Sequence, residues 1–171
     1  MPTVYFISDI HLGHKKILDF SPSRGGSCVD EHDEWIVDSW NSVVTKRDVV
    51  YLLGDIAFSR EGLSKCADLN GVKKLILGNH DLFAIDEYTK YFKILPSLYK
   101  YKEFWLSHAP IHPHELRGKK NIHGHVHSSS ITKPAIRPFE PSLNPRYINV
   151  CVEPLNGKPI SIDKIRGING S

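Results

Sequence analysis

Residues 75–81 read Leu-Ile-Leu-Gly-Asn-His-Asp, a short apolar run that ends in a polar turn. The apolar run predicts a buried strand, and Gly-Asn at its end is also typical of an ordinary strand-to-loop turn. Asn79 offers a neutral oxygen ligand, and His80 offers an acid or a base. Asp81 could hold the imidazole of His80 in one tautomer. The meaning of this turn therefore depends on the residues at the ends of the other strands.

Four other strand-like runs also end in residues that can bind metal ions. The runs are Thr3–Ser8, Asp48–Leu53, Glu103–Leu106 and Asn121–Val126, and the residues at or just past their ends are Asp9, His11, Asp55, His108, His125 and His127. In an extended segment, residues two apart point to the same side. We therefore expect Asp9 and His11 to reach one cation together, and His125 and His127 to form a similar pair.

The first half of the chain alternates between strand and helix patterns. A helix with an apolar stripe at Ile36 and Trp40 separates the first two strands, and a weaker helix over Ser59–Leu69 precedes a strand over Val72–Leu77. This order predicts a layered α/β domain with parallel strands. In such folds ligands bind beyond the carboxyl ends of the strands, where these polar residues lie.

The second half of the chain has shorter β-type patterns. The expected strands are Phe92–Leu95, Leu98–Tyr101, Glu103–Leu106, Tyr147–Val152 and Ile160–Ile165. The first three are close enough in sequence to form antiparallel hairpins, and Asn156-Gly157 predicts a turn between the last two. The Pro-rich stretch 128–145 predicts a long surface loop. We expect a single domain over residues 1–171.

Composition predicts a protein of the cytoplasm that does not enter membranes. The chain is 40% hydrophobic and 24% charged, its net charge is only +3, and it has neither a signal-peptide pattern nor a long apolar stretch. The three cysteines are widely spaced, which fits a reducing compartment and argues against a thiolate zinc site. Ten histidines are unusual, because His is the commonest metal ligand. Nucleic-acid binding is possible but not indicated by so small a charge.

The candidate ligands indicate a site for two divalent ions. Oxygen and imidazole ligands without sulfur suit Mn²⁺, which we favour, with Fe, Zn²⁺ and Ni²⁺ as alternatives. The set contains more ligands than one cation can bind, whereas two ions that share a carboxylate would bind all of them. Two such ions leave the site positive, so it would attract a phosphate ester. Arg24 is a candidate phosphate clamp because arginine binds phosphate bidentately, and His14 is a second candidate substrate contact.

The motifs resemble, in order, those of the calcineurin-like metallophosphoesterases, with the small uncapped bacterial and phage-type members as the nearest match. They are Asp9-Ile10-His11, Gly54-Asp55, Gly78-Asn79-His80-Asp81, His108 and Gly124-His125-Val126-His127. The resemblance implies two stacked mixed β-sheets flanked by helices, a four-layer sandwich. It also implies a first metal on Asp9, His11 and His127, with Asp55 bridging to a second. Asn79, His108 and His125 would complete the second site.

The predicted function is hydrolysis of a phosphomonoester or phosphodiester, with a small nucleotide-like substrate favoured. A hydroxide that bridges the two metals would attack phosphorus, and His80 would act as general acid with Asp81 orienting it. One alternative is a non-catalytic binding module on a phosphoesterase scaffold, and another is a nuclease. The presence of His80 and of every ligand position favours catalysis. Substrate, metal identity and oligomeric state do not follow from the sequence.

Overall fold

Two mixed β-sheets with helices beside them form the protein, in a computed structural model that describes residues 1–133 and 142–168. The strands are β1 (Val4–Ile7), β2 (Val49–Leu52), β3 (Val72–Leu75), β4 (Lys93–Ile94), β5 (Leu98–Tyr101), β6 (Phe104–Ser107), β7 (Lys120–His123), β8 (Tyr147–Asn149) and β9 (Ile160–Ser161). The α-helices are α1 (Ile17–Phe20), α2 (Val29–Asn41), α3 (Arg60–Ser64), α4 (Ile85–Thr89), α5 (Val152–Leu155) and α6 (Ile162–Ile168). The predicted fold class is confirmed.

The first sheet has the strand order β4-β3-β2-β1-β9. Strands β1 to β4 are parallel, and β9 pairs antiparallel with β1. Helices lie between consecutive parallel strands along the chain, as the alternating pattern predicted. The carboxyl ends of β1, β2 and β3 therefore meet at one edge of this sheet.

The second sheet has the order β5-β6-β7-β8, in which β5 and β6 form the predicted antiparallel hairpin and β6, β7 and β8 are parallel. The prediction that Phe92–Leu95 takes part in such a hairpin is wrong. Residues 93–94 extend the first sheet beside β3, where the Leu95 amide donates to the Leu75 carbonyl at 2.8 Å. Phe92 is buried with the first-sheet core, and that burial outweighs its closeness in sequence to β5.

Alternating side chains of the first sheet enter two separate cores. Phe6 and Tyr51 pack between the sheets against Phe104 of the second sheet. Ile7 and Leu52 face the opposite way, toward the helices. These central strands are apolar on both faces because each face is covered.

Helix α2 covers the outer face of the first sheet. Ile36 and Trp40 are fully buried there, as the apolar stripe predicted, and the Trp40 indole donates to the Asn70 carbonyl at 2.9 Å. Within residues 1–133 and 142–168, no helix combines the length and apolar composition that crossing a bilayer requires.

The end of the chain differs from the prediction of two strands joined by a hairpin. The first predicted strand is present as β8, but the second is reduced to Ile160–Ser161. The chain then continues as helix α6, whose buried Ile162 and Ile165 are three residues apart. Asn156 and Gly157 do turn, with φ angles of 48° and 74°, but they terminate helix α5. Strands β8 and β9 lie in different sheets, so this turn cannot join a hairpin.

The predicted Pro-rich loop is described only at its two flanks, because residues 134–141 lie outside the described part of the chain. Before that gap, Thr132 forms an isolated antiparallel bridge with Leu143 after it. Asn144 is buried, and its amide donates to the Ile131 carbonyl at 2.9 Å. The described flanks are therefore tied to each other by backbone hydrogen bonds.

Candidate metal centre

The predicted ligands follow parallel strands of both sheets. Asp9 follows β1, Asp55 follows β2, Asn79 follows β3, His108 follows β6 and His125 follows β7. The sheets join at this edge, because the Ser8 amide donates to Val150 at 2.8 Å and the Val150 amide donates to His123 at 2.9 Å. The strand ends of two sheets therefore converge on one place.

Two groups of potential ligand atoms form there. Asp9, His11 and His127 bring their ligand atoms within 4.8 Å of one another, and Asp9, Asp55 and His108 do the same. The Asp55 carboxylate lies between the groups, 3.8 Å from His11 Nε2 and 3.6 Å from His108 Nε2. The carboxylates are thus placed where two cations could share them.

Asn79 and His125 complete the second group. The Asn79 side-chain oxygen lies 2.8 Å from His108 Nε2 and 3.0 Å from His125 Nδ1. His127 instead lies with the first group, with its Nε2 3.9 Å from Asp9. The structure therefore brings all seven predicted ligands together.

The backbone at the site is turned rather than extended. Five of the seven residues have positive φ, namely Asp9 (60°), His11 (52°), Asp55 (55°), His125 (70°) and His127 (50°). The expectation of extended pairs is therefore wrong, although each paired residue still reaches the site. Positive φ is uncommon for residues other than glycine and collects at functional sites, where the surrounding structure compensates its cost.

Glycines beside these turns allow the loops to touch. A Cβ atom on Gly54 would lie 2.5 Å from His108 Nδ1, and Gly54 itself has a φ of 91°. A Cβ atom on Gly124 would overlap Ser8 and Asp9. Only glycine permits this close approach of the ligand-bearing loops.

The buried polar atoms at the centre fit a cation. Asp9 Oδ1 and both ring nitrogens of His11 are buried and form no hydrogen bond with any described residue, although Asp9 Oδ1 and His11 Nε2 are 3.7 Å apart. Such unpartnered groups are costly unless a ligand satisfies them. Burial lowers the pKa of His11, which favours the neutral imidazole that binds metals. Burial would raise the pKa of Asp9, but the adjacent His11 and Ser8 side chains outweigh it and hold that pKa well below its usual range.

Two histidines have their tautomers fixed by acceptors. His108 Nδ1 lies 2.7 Å from the Leu53 carbonyl, and His127 Nδ1 lies 3.0 Å from Glu153. Because a carbonyl and a carboxylate can only accept, each Nδ1 carries the proton. In the neutral form of each ring, the Nε2 lone pair is then available to a metal ion, beside Asn79 and His125 for His108 and beside Asp9 for His127. This is the orientation that metal-bound histidines adopt when their other nitrogen donates to a carbonyl or a carboxylate.

Asp81 does not orient His80, so that prediction is corrected. Its carboxylate is buried and accepts the backbone N–H groups of Asp55 and Gly78 at 2.8 Å each and of Ile56 at 2.9 Å. These bonds occupy both oxygens. Asp81 therefore ties the loop after β2 to the loop after β3.

His80 lies at the open side of the site. Its side chain is exposed, and its backbone N–H donates to Asp55 Oδ1 at 2.9 Å. Its ring centroid is 6.4 Å from that of His11 and 5.1 Å from that of Phe58. The imidazole is thus held beside the candidate ligands and remains accessible to a substrate.

Arg24 is not placed to clamp phosphate, contrary to expectation. Its guanidinium is fully buried and forms an ion pair with Glu153 at 2.7 Å. It also donates to the backbone carbonyls of Asp9 at 2.8 Å and Ile10 at 3.4 Å. With its donors engaged inside the protein, Arg24 instead supports the turn that carries Asp9.

Glu153 is a site residue that the sequence prediction missed. One of its oxygens contacts both Arg24 and His127, so it links the turn after β1 to the Gly-His-Val-His segment. These contacts outweigh its burial and lower the pKa of Glu153 to about 2. No motif marks Glu153, because it reaches the site from helix α5, distant in sequence.

His14 lies next to the site as predicted, but its main neighbour is aromatic. Its ring stacks on Phe58 with a centroid distance of 4.1 Å. Burial lowers the pKa of His14 to about 4. It borders the same cavity as His80, so contact with a substrate remains a prediction for His14.

Comparison with known proteins agrees with this geometry. The sequence profile of the calcineurin-like phosphoesterases matches residues 2–149. An uncharacterised protein of Methanocaldococcus jannaschii is 35% identical over 172 residues, covering 96% of this chain and 90% of the archaeal one. The gene 66 protein of Mycobacterium phage L5 is 42% identical over 86 residues, which are 47% of this chain and 41% of the phage protein.

Two solved structures are also similar. A protein of unknown function from Aquifex aeolicus has a TM-score of 0.72 and 26% identity, with 98% of this chain and 100% of that one covered. A nuclease of Pseudomonas putida has a TM-score of 0.53 and 22% identity over 72% of this chain and 61% of its own, which shows a shared fold. By its profile match and its archaeal relative, the chain belongs to the calcineurin-like phosphoesterase family.

Proposed function

We propose that this protein hydrolyses phosphate esters with two divalent metal ions. The observation that carries the proposal is that Asp9 Oδ1 and both ring nitrogens of His11 are buried without a hydrogen-bond partner among the described residues. Membership of a phosphoesterase family supports the same reaction class. We further propose that Mn²⁺ is the preferred metal and that the substrate is a small soluble ester.

The proposed ligands divide between two ions. Asp9, His11 and His127 would hold the first, Asn79, His108 and His125 would hold the second, and Asp55 would bridge them. When bound, two divalent ions supply an acidified water nucleophile and positive charge that offsets the phosphate oxygens.

His80 would act on the leaving group. Its exposed ring stands beside the ligands, and a protonated imidazole there can donate its N–H proton to the departing ester oxygen. General acid help of this kind is worth about 10²–10⁴-fold in rate. Asp81 would contribute indirectly by holding the two loops that carry Asp55 and Asn79.

The test is hydrolysis of p-nitrophenyl phosphate and bis-p-nitrophenyl phosphate, after chelation and after Mn²⁺ is restored. We expect turnover that depends on Mn²⁺ and is lost in Asp55→Asn and His80→Ala. Calorimetry should show that Asp55→Asn loses metal while His80→Ala keeps it. The ratio of the two substrates would indicate a monoesterase or a diesterase.

A matched control is His114→Ala, because His114 is an exposed histidine outside this centre. It should keep both turnover and metal. Metal binding without hydrolysis of either ester or of single-stranded DNA would contradict the proposal and favour a binding module. Hydrolysis of DNA alone would favour a nuclease. Equal loss of metal and activity in His80→Ala would refute its role as an acid.

A further inference from the structure

A cavity of about 410 Å³ opens directly beside the candidate metal ligands. Its volume falls within the range of small-molecule sites. Its lining includes His11, His80 and His127 together with Ile17, Phe20 and Phe58, and the Phe58 ring lies next to that of His11 at a centroid distance of 4.9 Å. A substrate with its phosphate at the metal centre would therefore place an adjoining group against an apolar wall.

The wall is built from nearly parallel rings. The rings of Phe58 and His14 stack with centroids 4.1 Å apart and an angle of 19°, and Phe20 continues the stack beyond His14 at 6.0 Å and 21°. Phe58 is held by the backbone, because its amide donates to the Leu12 carbonyl at 2.9 Å. The wall is therefore fixed at the end next to the ligands.

Phe20 at the outer end is only loosely packed, with its ring centroid 6.0 Å from that of His14. It is 71% exposed at the end of helix α1 and lines the cavity. Together with Ile17 and Phe58, this side chain gives the cavity an apolar part that a ligand can cover. The residues that line this cavity include no aspartate, glutamate, lysine or arginine in the described chain. The complementary group is thus uncharged, and the rings of Phe20 and Phe58 favour a flat one.

We infer that this aromatic wall, formed by His14, Phe20 and Phe58, binds a planar heteroaromatic ring of the substrate, such as a nucleobase. The inference rests on the proposed function, since it places the scissile phosphate at the metal centre. Stacking of a base on an aromatic side chain raises affinity about fivefold to 150-fold. Among the described residues the cavity lining has no amide or carboxylate side chain, and its hydroxyls are those of Ser21 and Ser128, so we expect different bases to bind within a few-fold of one another.

The experiment compares ligands that differ only in the ring. Adenosine 5′-phosphonate and ribose 5-phosphonate, in which carbon replaces the ester oxygen, are titrated into the Mn²⁺-loaded protein by calorimetry. Neither can be hydrolysed, so binding is measured whether or not the protein is an enzyme. We expect the adenosine compound to bind about fivefold to 150-fold more tightly. The cytidine analogue should bind within a few-fold of it.

Three variants test whether the residues of the aromatic wall cause this difference in affinity. Phe20→Ala should reduce the ratio of the two affinities and leave ribose 5-phosphonate binding unchanged. Phe58→Leu should also reduce the ratio, and it is compared at equal Mn²⁺ occupancy because the Phe58 ring lies 4.9 Å from that of His11. Phe20 is exposed, so its replacement tests the wall without risk to folding. Phe83→Leu, at an aromatic residue outside the cavity lining, is the matched control and should keep the ratio.

The two proposals fail in different ways. A ratio within twofold in the wild-type protein, or a ratio that both wall variants leave intact, would overturn the inference. Tight binding of the ring with no hydrolysis of the corresponding methyl diester or monoester would overturn the proposed activity and keep the ring site. Hydrolysis of these esters with no preference for the ring would overturn the ring site and keep the proposed activity.

Discussion

The substitution Asp81→Asn distinguishes two roles that Asp81 could have at the site. If Asp81 oriented His80, the substitution would change catalysis and leave folding nearly intact. The structure instead gives its carboxylate three backbone N–H donors, from Asp55, Ile56 and Gly78. The substitution should therefore act on the stability of the loops and on metal binding.

The magnitude follows from the geometry of an amide. Asparagine keeps one acceptor oxygen, which can replace the oxygen that serves Asp55 and Gly78, and then its NH₂ group faces the Ile56 N–H. One buried hydrogen bond to a charged acceptor is lost in this best case, at a cost of about 1.5–3 kcal/mol in the free energy of unfolding. The affinity for Mn²⁺ should also fall about 10- to 100-fold, as when other outer contacts of metal ligands are removed.

Urea denaturation in the presence of a chelator measures the first effect without any contribution from bound metal. Calorimetry with Mn²⁺ measures the second. Asp86→Asn, at an exposed aspartate in helix α4, is the control and should stay within about 0.5 kcal/mol of wild type. A similarly small change for Asp81→Asn, together with an altered pH profile of turnover, would refute the structural role and restore the orienting one.

Three further predictions test other parts of the centre. Glu153→Gln should weaken Mn²⁺ binding about 10- to 100-fold in calorimetry, because His127 loses the carboxylate that fixes its Nδ1 proton; an unchanged affinity would contradict this role. Gly124→Ala should lower the free energy of unfolding in urea by about 1–3 kcal/mol, since the added Cβ overlaps Ser8, and no loss would contradict the close approach. Burial opposes ionisation of Asp33, but its contacts with His32, Gly13 and Lys65 outweigh burial and lower its pKa. The stability that ionised Asp33 adds is present above about pH 3.9 and is lost as the pH falls through its lower folded-state pKa. Asp33→Asn should therefore reduce the acid-side slope of the free energy of unfolding against pH, measured in urea. Equal slopes in the variant and the wild type would contradict this role.

The sequence predicted the parallel strands because their residues are apolar on both faces. Val50, Leu52 and Leu53 could not belong to an exposed sheet, and the structure buries all three. The position of the site followed from the same pattern, since parallel strands place their carboxyl ends together. Residues that lie just past such ends could therefore be selected without knowledge of the loops.

Sequence patterns predicted the structure less well where the burial of side chains and their local spacing favour different elements. Residues 160–165 alternate weakly, and that spacing suits a strand until Ile162 and Ile165 are seen to pack on one side of a helix. Arg24 was misread for a related reason. Its neighbours in sequence suggest a surface loop, whereas its partner Glu153 is remote along the chain and draws the guanidinium inside. Contacts between distant residues carry this information, and a single sequence does not display them.

The predicted ligands come together through turns that the sequence did not predict. An extended segment would send Asp9 and His11 to one side of a strand. Positive φ at both residues and at Asp55 instead places each of them in a turn just past its strand, and their ligand atoms still come together. Such turns cost energy that ordinary loops avoid. Asp81, Arg24 and the close-packed glycines supply the contacts that hold them, which is why these supporting residues should affect metal binding as strongly as stability.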